Sequence, residues 1–126
     1  MRPLDRVIWD RFIDKQPHAF KRVWYDLHIG DPCCDEALRA DMHASGAFEV
    51  AQWCIDVVAD DGRDFFIIEI KPAARASALG QALAYAALLN AEKKDGVRRV
   101  PAVLTDEIIP ITASAAALLG VVMLEA

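Results

Sequence analysis

The segment Phe65–Lys71, FFIIEIK, constrains the fold of this chain more than any other. Phe65, Phe66, Ile67 and Ile68 are apolar on both alternating faces, so a strand here is central and covered on both sides. Glu69 and Lys71 then break the pattern. They lie two apart, hence on one face, together with Phe65 and Ile67. A carboxylate and an ammonium leaving a buried face are costly unless paired, hydrated or bound to an ion.

The rest of the chain supplies the layers such a strand needs. Residues 4–16 place Leu4, Ile8, Phe12 and Ile13 at helical spacing with Trp9 alongside, between Pro3 and Pro17. RVWYDLHIG alternates Val23, Tyr25, Leu27 and Ile29 and predicts a half-buried strand ended by Gly30-Asp31-Pro32. Residues 31–46 show no clear periodicity and suit a loop or a short helix. A long strand is expected over 47–59, with a hairpin turn at Asp60-Asp61-Gly62. After Pro72, the Ala- and Leu-rich residues 75–94 predict a helix able to pack close to a sheet, closed by Gly96. A strand over RRVPAVLT, a short helix over TASAAALLG capped by Gly120, and a last strand over VVML complete the order. A meander followed by helical crossovers is an α/β arrangement: a mixed central sheet flanked by helices, in one domain over residues 1–126.

Composition narrows the setting. The apolar fraction is 55%, yet no run approaches 18 apolar residues, so no membrane span is expected. Charged residues interrupt the N-terminus, unlike a signal peptide, and the three cysteines lack CxxC spacing. Both features point to a reducing, cytoplasmic setting. Zinc at Cys33, Cys34, His28 and His43 is weighed and set aside for want of finger-like spacing, and His18, His28 and His43 receive no role. A net charge of −5 disfavours a protein that coats nucleic acid by charge alone. The cations are nonetheless grouped, at Lys21-Arg22, at Lys71 with Arg75, and at Lys93, Lys94, Arg98 and Arg99.

A hairpin centred on Asp61-Gly62 puts Asp56 opposite Ile67 and diagonal to Glu69, close enough for two carboxylates to share an ion. That inference depends on register, since a slip of one residue moves Asp56 to the other face. Magnesium keeps several waters, so Asp56, Glu69 and the backbone carbonyl of Ile70 would suffice as protein ligands. Manganese could substitute. Lys71 would orient a water or stabilise developing negative charge. An E-x-K pair alone is usually an ordinary cross-face ion pair worth little. The aspartate upstream, the apolar strand and the helix that follows distinguish this one.

Ile55-Asp56 followed by Glu69-Ile70-Lys71 resembles the signature of the PD-(D/E)xK nuclease superfamily, over most of the chain. The resemblance implies a restriction-endonuclease-like αβββαβ core and metal-dependent hydrolysis of phosphodiester bonds, DNA being favoured. Gln81 and Tyr85, i and i+4 on the helix after Lys71, are similar to the Q-x-x-x-Y of RecB-type members. In that reading they line the substrate groove or orient the lysine; otherwise they are a solvated Gln and a Tyr with an exposed tip. Ile55 stands where the name has proline. Some members add a first-helix glutamate, for which Asp5, Asp10 and Asp14 are the candidates here. Asp26 is either a neighbour of the site or a surface residue.

Three readings fit this pattern. One is a nuclease of repair, recombination or a phage-type system. A second is a non-catalytic subunit of a viral particle or larger assembly that keeps the fold, marked by exposed apolar residues on the first helix or VVML. A third is a junction endonuclease working as a homodimer.

Overall fold

The computed structural model describes residues 1–29 and 53–126. Helix α1 (Pro3–Lys15) begins with proline at its first position, where a missing N–H costs nothing. Strands β1 (Arg22–Ile29), β2 (Trp53–Asp60) and β3 (Phe65–Lys71) follow, then helix α2 (Ala76–Lys93), strand β4 (Arg99–Thr105), helix α3 (Pro110–Leu119) and strand β5 (Val122–Glu125). Residues 31–46 and the first part of the expected strand 47–59 lie outside the described residues. Lys94, left-handed at φ +42°, ends α2 two residues before the expected Gly96.

The five strands form one sheet in chain order, with β1–β2 and β2–β3 antiparallel and β3–β4 and β4–β5 parallel. This is the expected mixed sheet with β3 at its centre. On one face α1 sets Ile8, Trp9 and Phe12 against Val57, Ala59, Ile68, Ile70, Ala102 and Leu104. Leu4, expected on that stripe, is 56% exposed, and Asp5 is buried in its place. On the other face α2 packs Tyr85, Ala86 and Leu89 over Ile55, Val58 and Ile67. Farther along, Ala78, Leu79 and Ala82 meet Val103, with Ala116 of α3 beside them. Small side chains at 78, 82 and 86 recur every four residues, so the backbone of α2 can lie close to the sheet. Replacing Phe12 by Ala in the α1 layer would cost about 3–5 kcal/mol.

The hairpin register differs from expectation. Asp60 pairs with Phe65 and Val57 with Ile68, leaving a four-residue loop, Asp61–Asp64. The Asp61 carboxylate accepts the N–H groups of Arg63 and Asp64 at 2.8 Å and sets the longer loop. Asp56 is therefore level with Glu69, not Ile67. The displacement is two residues, which preserves the face.

Candidate active site

β2 and β3 part company beyond the Val57–Ile68 pair. The Ile70 N–H is donated instead to Asp56 Oδ2 at 2.9 Å, so a side chain replaces a backbone acceptor. At this point the alternation of β2 changes phase. Val57 faces α1 and Val58 faces α2, yet Ile55 also packs with the α2 group. The partner strand changes with it: Asp26, absent from the β1–β2 ladder, has φ +51°, a conformation that Asp adopts more readily than most residues. The divergence opens a cleft of about 840 Å³ lined by Asp5 of α1, Cys54 and Asp56 of β2, Glu69 and Lys71 of β3, and Gln81 and Tyr85 of α2.

Within the cleft, Lys71 Nζ lies 3.3 Å from Glu69 Oε1. Glu69 is 4% exposed, and its other oxygen, Oε2, is buried without a hydrogen-bond partner among the described residues. Burial, then the charge of Asp56, pushes the Glu69 carboxyl up to about 7, against the opposing pull of Lys71. Asp56 is also raised, chiefly by burial, although the Ile70 N–H opposes that. Burial and the two carboxylates raise the Tyr85 phenol, which is hydrogen-bonded to Gln81. Lys71 is the ammonium that pairs with Glu69. The N-terminal amino group and Arg2 also line the cleft, but the amino group is held by Asp26, and Glu69 Oε2 has no positive partner among the described residues.

A divalent cation fits that shortage. The buried, unpartnered Glu69 Oε2 needs a positive partner, and Asp56 has a second oxygen beyond the one holding Ile70. Among the described residues no three His, Cys, Asp or Glu side chains form a cage. The residues that would hold such an ion are two carboxylates with a backbone carbonyl, a hard-oxygen set that would suit Mg²⁺ better than zinc.

The remaining candidates separate cleanly. Of the first-helix acids, Asp5 is 4% exposed and lines the cleft, and its charge helps raise both Asp56 and Glu69. Asp10 pairs with Arg6 at 2.9 Å on the surface, and Asp14 is exposed. The missed signal was spacing: Asp5, Ile8, Trp9 and Phe12 follow i, i+3, i+4, i+7, the buried stripe of α1. Asp26 holds the N-terminal amino group and is about half exposed, outside the cleft lining. His43, Cys33 and Cys34 lie outside the described residues. Thr105, fully buried, was also missed: its hydroxyl donates to the Pro72 carbonyl (3.0 Å) and accepts from the Ala74 N–H (3.3 Å), fixing the turn after Lys71.

A mixed five-stranded sheet with α1 on one face, α2 and α3 on the other, and an acid–lysine cleft where two central strands diverge defines an α/β, restriction-endonuclease-like fold. Solved structures share it. A repair endonuclease from Pyrococcus abyssi superposes with a TM-score of 0.55 at 14% identity, over 96% of this chain and 46% of its own. The structure of an EndoMS–dsDNA complex gives 0.55 at 13%, over 96% and 44%. A protein of unknown function gives 0.52 at 17%, over 94% and 55%. The chain therefore spans about half the length of these structures, and at such identities the likeness is one of fold. No family model and no curated protein matches the sequence. Among the described residues no helix is long and apolar enough to cross a membrane.

Proposed function

We propose that this chain is a metal-dependent nuclease that hydrolyses phosphodiester bonds, with DNA as the favoured substrate. One observation carries the reading: a buried, unpartnered carboxylate oxygen on Glu69, beside Asp56 and Lys71, in an open cleft. A structural ion pair would satisfy both carboxylate oxygens; a catalytic one leaves a position for an ion. Asp56, Glu69 and the carbonyl of Ile70 are the proposed ligands, for Mg²⁺ or Mn²⁺. The chemistry supplied by the bound ion is polarisation of the phosphate and acidification of a water.

The protein's own groups do the rest. Lys71, held by Glu69, presents its ammonium where it can orient that water and offset the negative charge that develops on the phosphoryl oxygens as phosphorus becomes pentacoordinate. Asp5 adds negative charge that favours occupancy by a cation. Gln81 and Tyr85, joined to each other, form the α2 wall and orient the entering strand, as in the RecB-type Q-x-x-x-Y pattern. The P. abyssi enzyme and the DNA-bound EndoMS support this reading through their shared fold.

The test is cleavage of single-stranded, double-stranded and branched DNA with Mg²⁺ or Mn²⁺, wild type beside Lys71→Ala. Cleavage by the wild type, lost in the variant and in EDTA, is the expected result. A folded wild-type protein that leaves every substrate intact would sink the proposal.

A second reading has its own observation. Leu4 and Val7 on α1 are more than half exposed, and Ile111 and Leu118 on α3 are 79% and 89% exposed. Such residues mark a partner surface and suit a subunit of a viral particle or other assembly. The VVML segment contributes little, because Val121 is buried and Val122, Met123 and Leu124 are half-buried against the core. Self-association abolished by Leu118→Glu, without nuclease activity, would favour this reading.

A further inference from the structure

We propose that a groove beside α2 is a stacking subsite for unpaired bases of a nucleic acid strand entering the Asp56–Glu69 cleft. The inference rests on the nuclease reading and names its substrate class: a single-stranded segment.

The groove, about 310 Å³, is lined by Trp24, Leu27, Phe65, Leu89, Lys93 and Arg99. Trp24 is 39% exposed and stacks on Phe65 with ring centres 5.9 Å apart and planes 24° from parallel. The Arg22 guanidinium lies 5.2 Å from the centre of the Trp24 ring. An indole 39% exposed, stacked on Phe65 and bordered by the long, exposed Arg22 side chain, can take a base where that guanidinium swings from the ring to the phosphate.

Charge favours a polyanion as the occupant. Two cation groups that are distant in sequence meet at this end of the sheet. Arg22 opens β1 opposite Asp60, Arg99 opens β4 opposite Phe65, and Lys93 closes α2. Arg22 and Arg99 are partly neutralised by Asp60 and Asp95. Lys93 makes no ion pair among the described residues.

The groove and the cleft lie along one helix. Gln81 and Tyr85 wall the cleft, and Leu89 and Lys93 wall the groove, each one turn further along α2. At 1.5 Å per residue, Tyr85 and Leu89 are about 6 Å apart along the axis, a step a single nucleotide can span. A base can stack on Trp24 only when its own face is free, which a base inside a duplex cannot offer without being flipped. The geometry therefore selects a single-stranded region.

The experiment is fluorescence anisotropy of the full chain in EDTA with a labelled 12-nucleotide single strand and the matching duplex. Wild type should prefer the single strand. Trp24→Ala should weaken that binding about 5- to 150-fold, the range for one base–aromatic stack, and Trp24→Phe should keep most of it. Lys93→Ala should flatten the log–log salt dependence by about 0.7. Circular dichroism secures the folding of each variant. Equal single-strand affinity of Trp24→Ala and wild type would overturn the subsite. So would a wild-type preference for duplex, or a concentration-dependent dimer that Trp24→Ala dissolves, since the groove would then hold a second copy. The two readings fail separately. Trp24-dependent binding without cleavage in Mg²⁺ or Mn²⁺ removes the nuclease, whereas cleavage with unaltered binding by Trp24→Ala removes the subsite.

Discussion

The β2–β3 hairpin carries a buried carboxylate near each end, and the two are treated differently. At the loop end Asp60 is satisfied on both oxygens: Arg22 donates to Oδ2 from Nε (3.0 Å) and Nη2 (2.8 Å), and the Gly62 N–H donates to Oδ1 at 2.7 Å. These donors hold the Asp60 carboxyl below its usual range. At the open end Glu69 has one lysine, a carboxylate neighbour and an oxygen with no partner among the described residues, and its carboxyl is pushed up. One sheet thus completes the coordination of a charge where the charge is structural. It leaves coordination incomplete at Glu69, where the proposed cation would complete it.

The largest effect that can break this contrast is Glu69→Gln. If Glu69 is a ligand position, cleavage should fall by at least about 10²–10³-fold, the loss typical of removing an electrostatic group from an active site. Stability at pH 8 should not fall, because a costly buried charge is removed; a rise of up to about 2 kcal/mol is expected from urea midpoints, less the cost of an unsatisfied amide. A drop of several kcal/mol, as when one partner of a buried ion pair is deleted, would make Glu69 a structural residue like Asp60.

The pH dependence of the metal-free protein is the next effect in size. The Glu69 carboxyl titrates at about 7 in the folded chain against an ordinary value of 4.5. Between those values the folded state holds a proton that the unfolded state has lost, so stability must fall as pH rises. The contribution is fully present below about pH 4.5 and is lost as pH passes about 7, amounting to at most about 3 kcal/mol. Asp56, also raised, adds a loss of the same sign. Chemical denaturation in EDTA from pH 5 to 8 measures the slope, and Glu69→Gln should flatten it. Added Mg²⁺ should restore stability at the upper end. A stability that climbs across this window would show that the cleft is not charge-strained.

How far the site was legible follows from the same two ends. FFIIEIK announced a central strand because both faces are apolar, and Pro72 fixed its end. The loop was misread because Asp61-Gly62 looks like a two-residue turn, whereas the Asp61 carboxylate captures two N–H groups and builds a four-residue loop. An error of two left the side-chain parity intact, so Asp56 and Glu69 still met. The phase change at Asp26 and Asp56 has no periodic signature, because it arises from one Asp in a left-handed conformation and one strand leaving its neighbour. The convergence of Arg22, Lys93 and Arg99 was equally hidden, since proximity across a sheet is topology and not spacing.

Asp5 sharpens the contrast with a smaller effect. It enters the cleft from α1 and raises the charge cost on Asp56 and Glu69. Asp5→Asn should reduce cleavage about tenfold at limiting Mg²⁺ and less at saturating Mg²⁺, the mark of a group that favours cation occupancy. It should also move the stability slope to lower pH. Asp10→Asn, removing an exposed partner of Arg6, should change neither, because such a pair contributes little. Equal behaviour of the two variants would return Asp5 to the surface acids.

The smallest effect tests the satisfied end. Asp60→Asn keeps an oxygen for the Gly62 N–H but turns an amide donor toward Arg22, which has only donors to offer. The melting temperature at pH 7 should fall by about 2–5 °C, with cleavage unchanged. Because the Asp60 carboxyl is held below its ordinary value, its contribution is present above about pH 4 and is lost as pH falls through the folded value. The melting difference between wild type and variant should therefore close as pH falls below the ordinary carboxylate range, opposite in sign to the loss seen at Glu69. If instead Asp60→Asn spares stability and abolishes cleavage, the two ends of the hairpin have exchanged roles, and the catalytic assignment belongs near the loop.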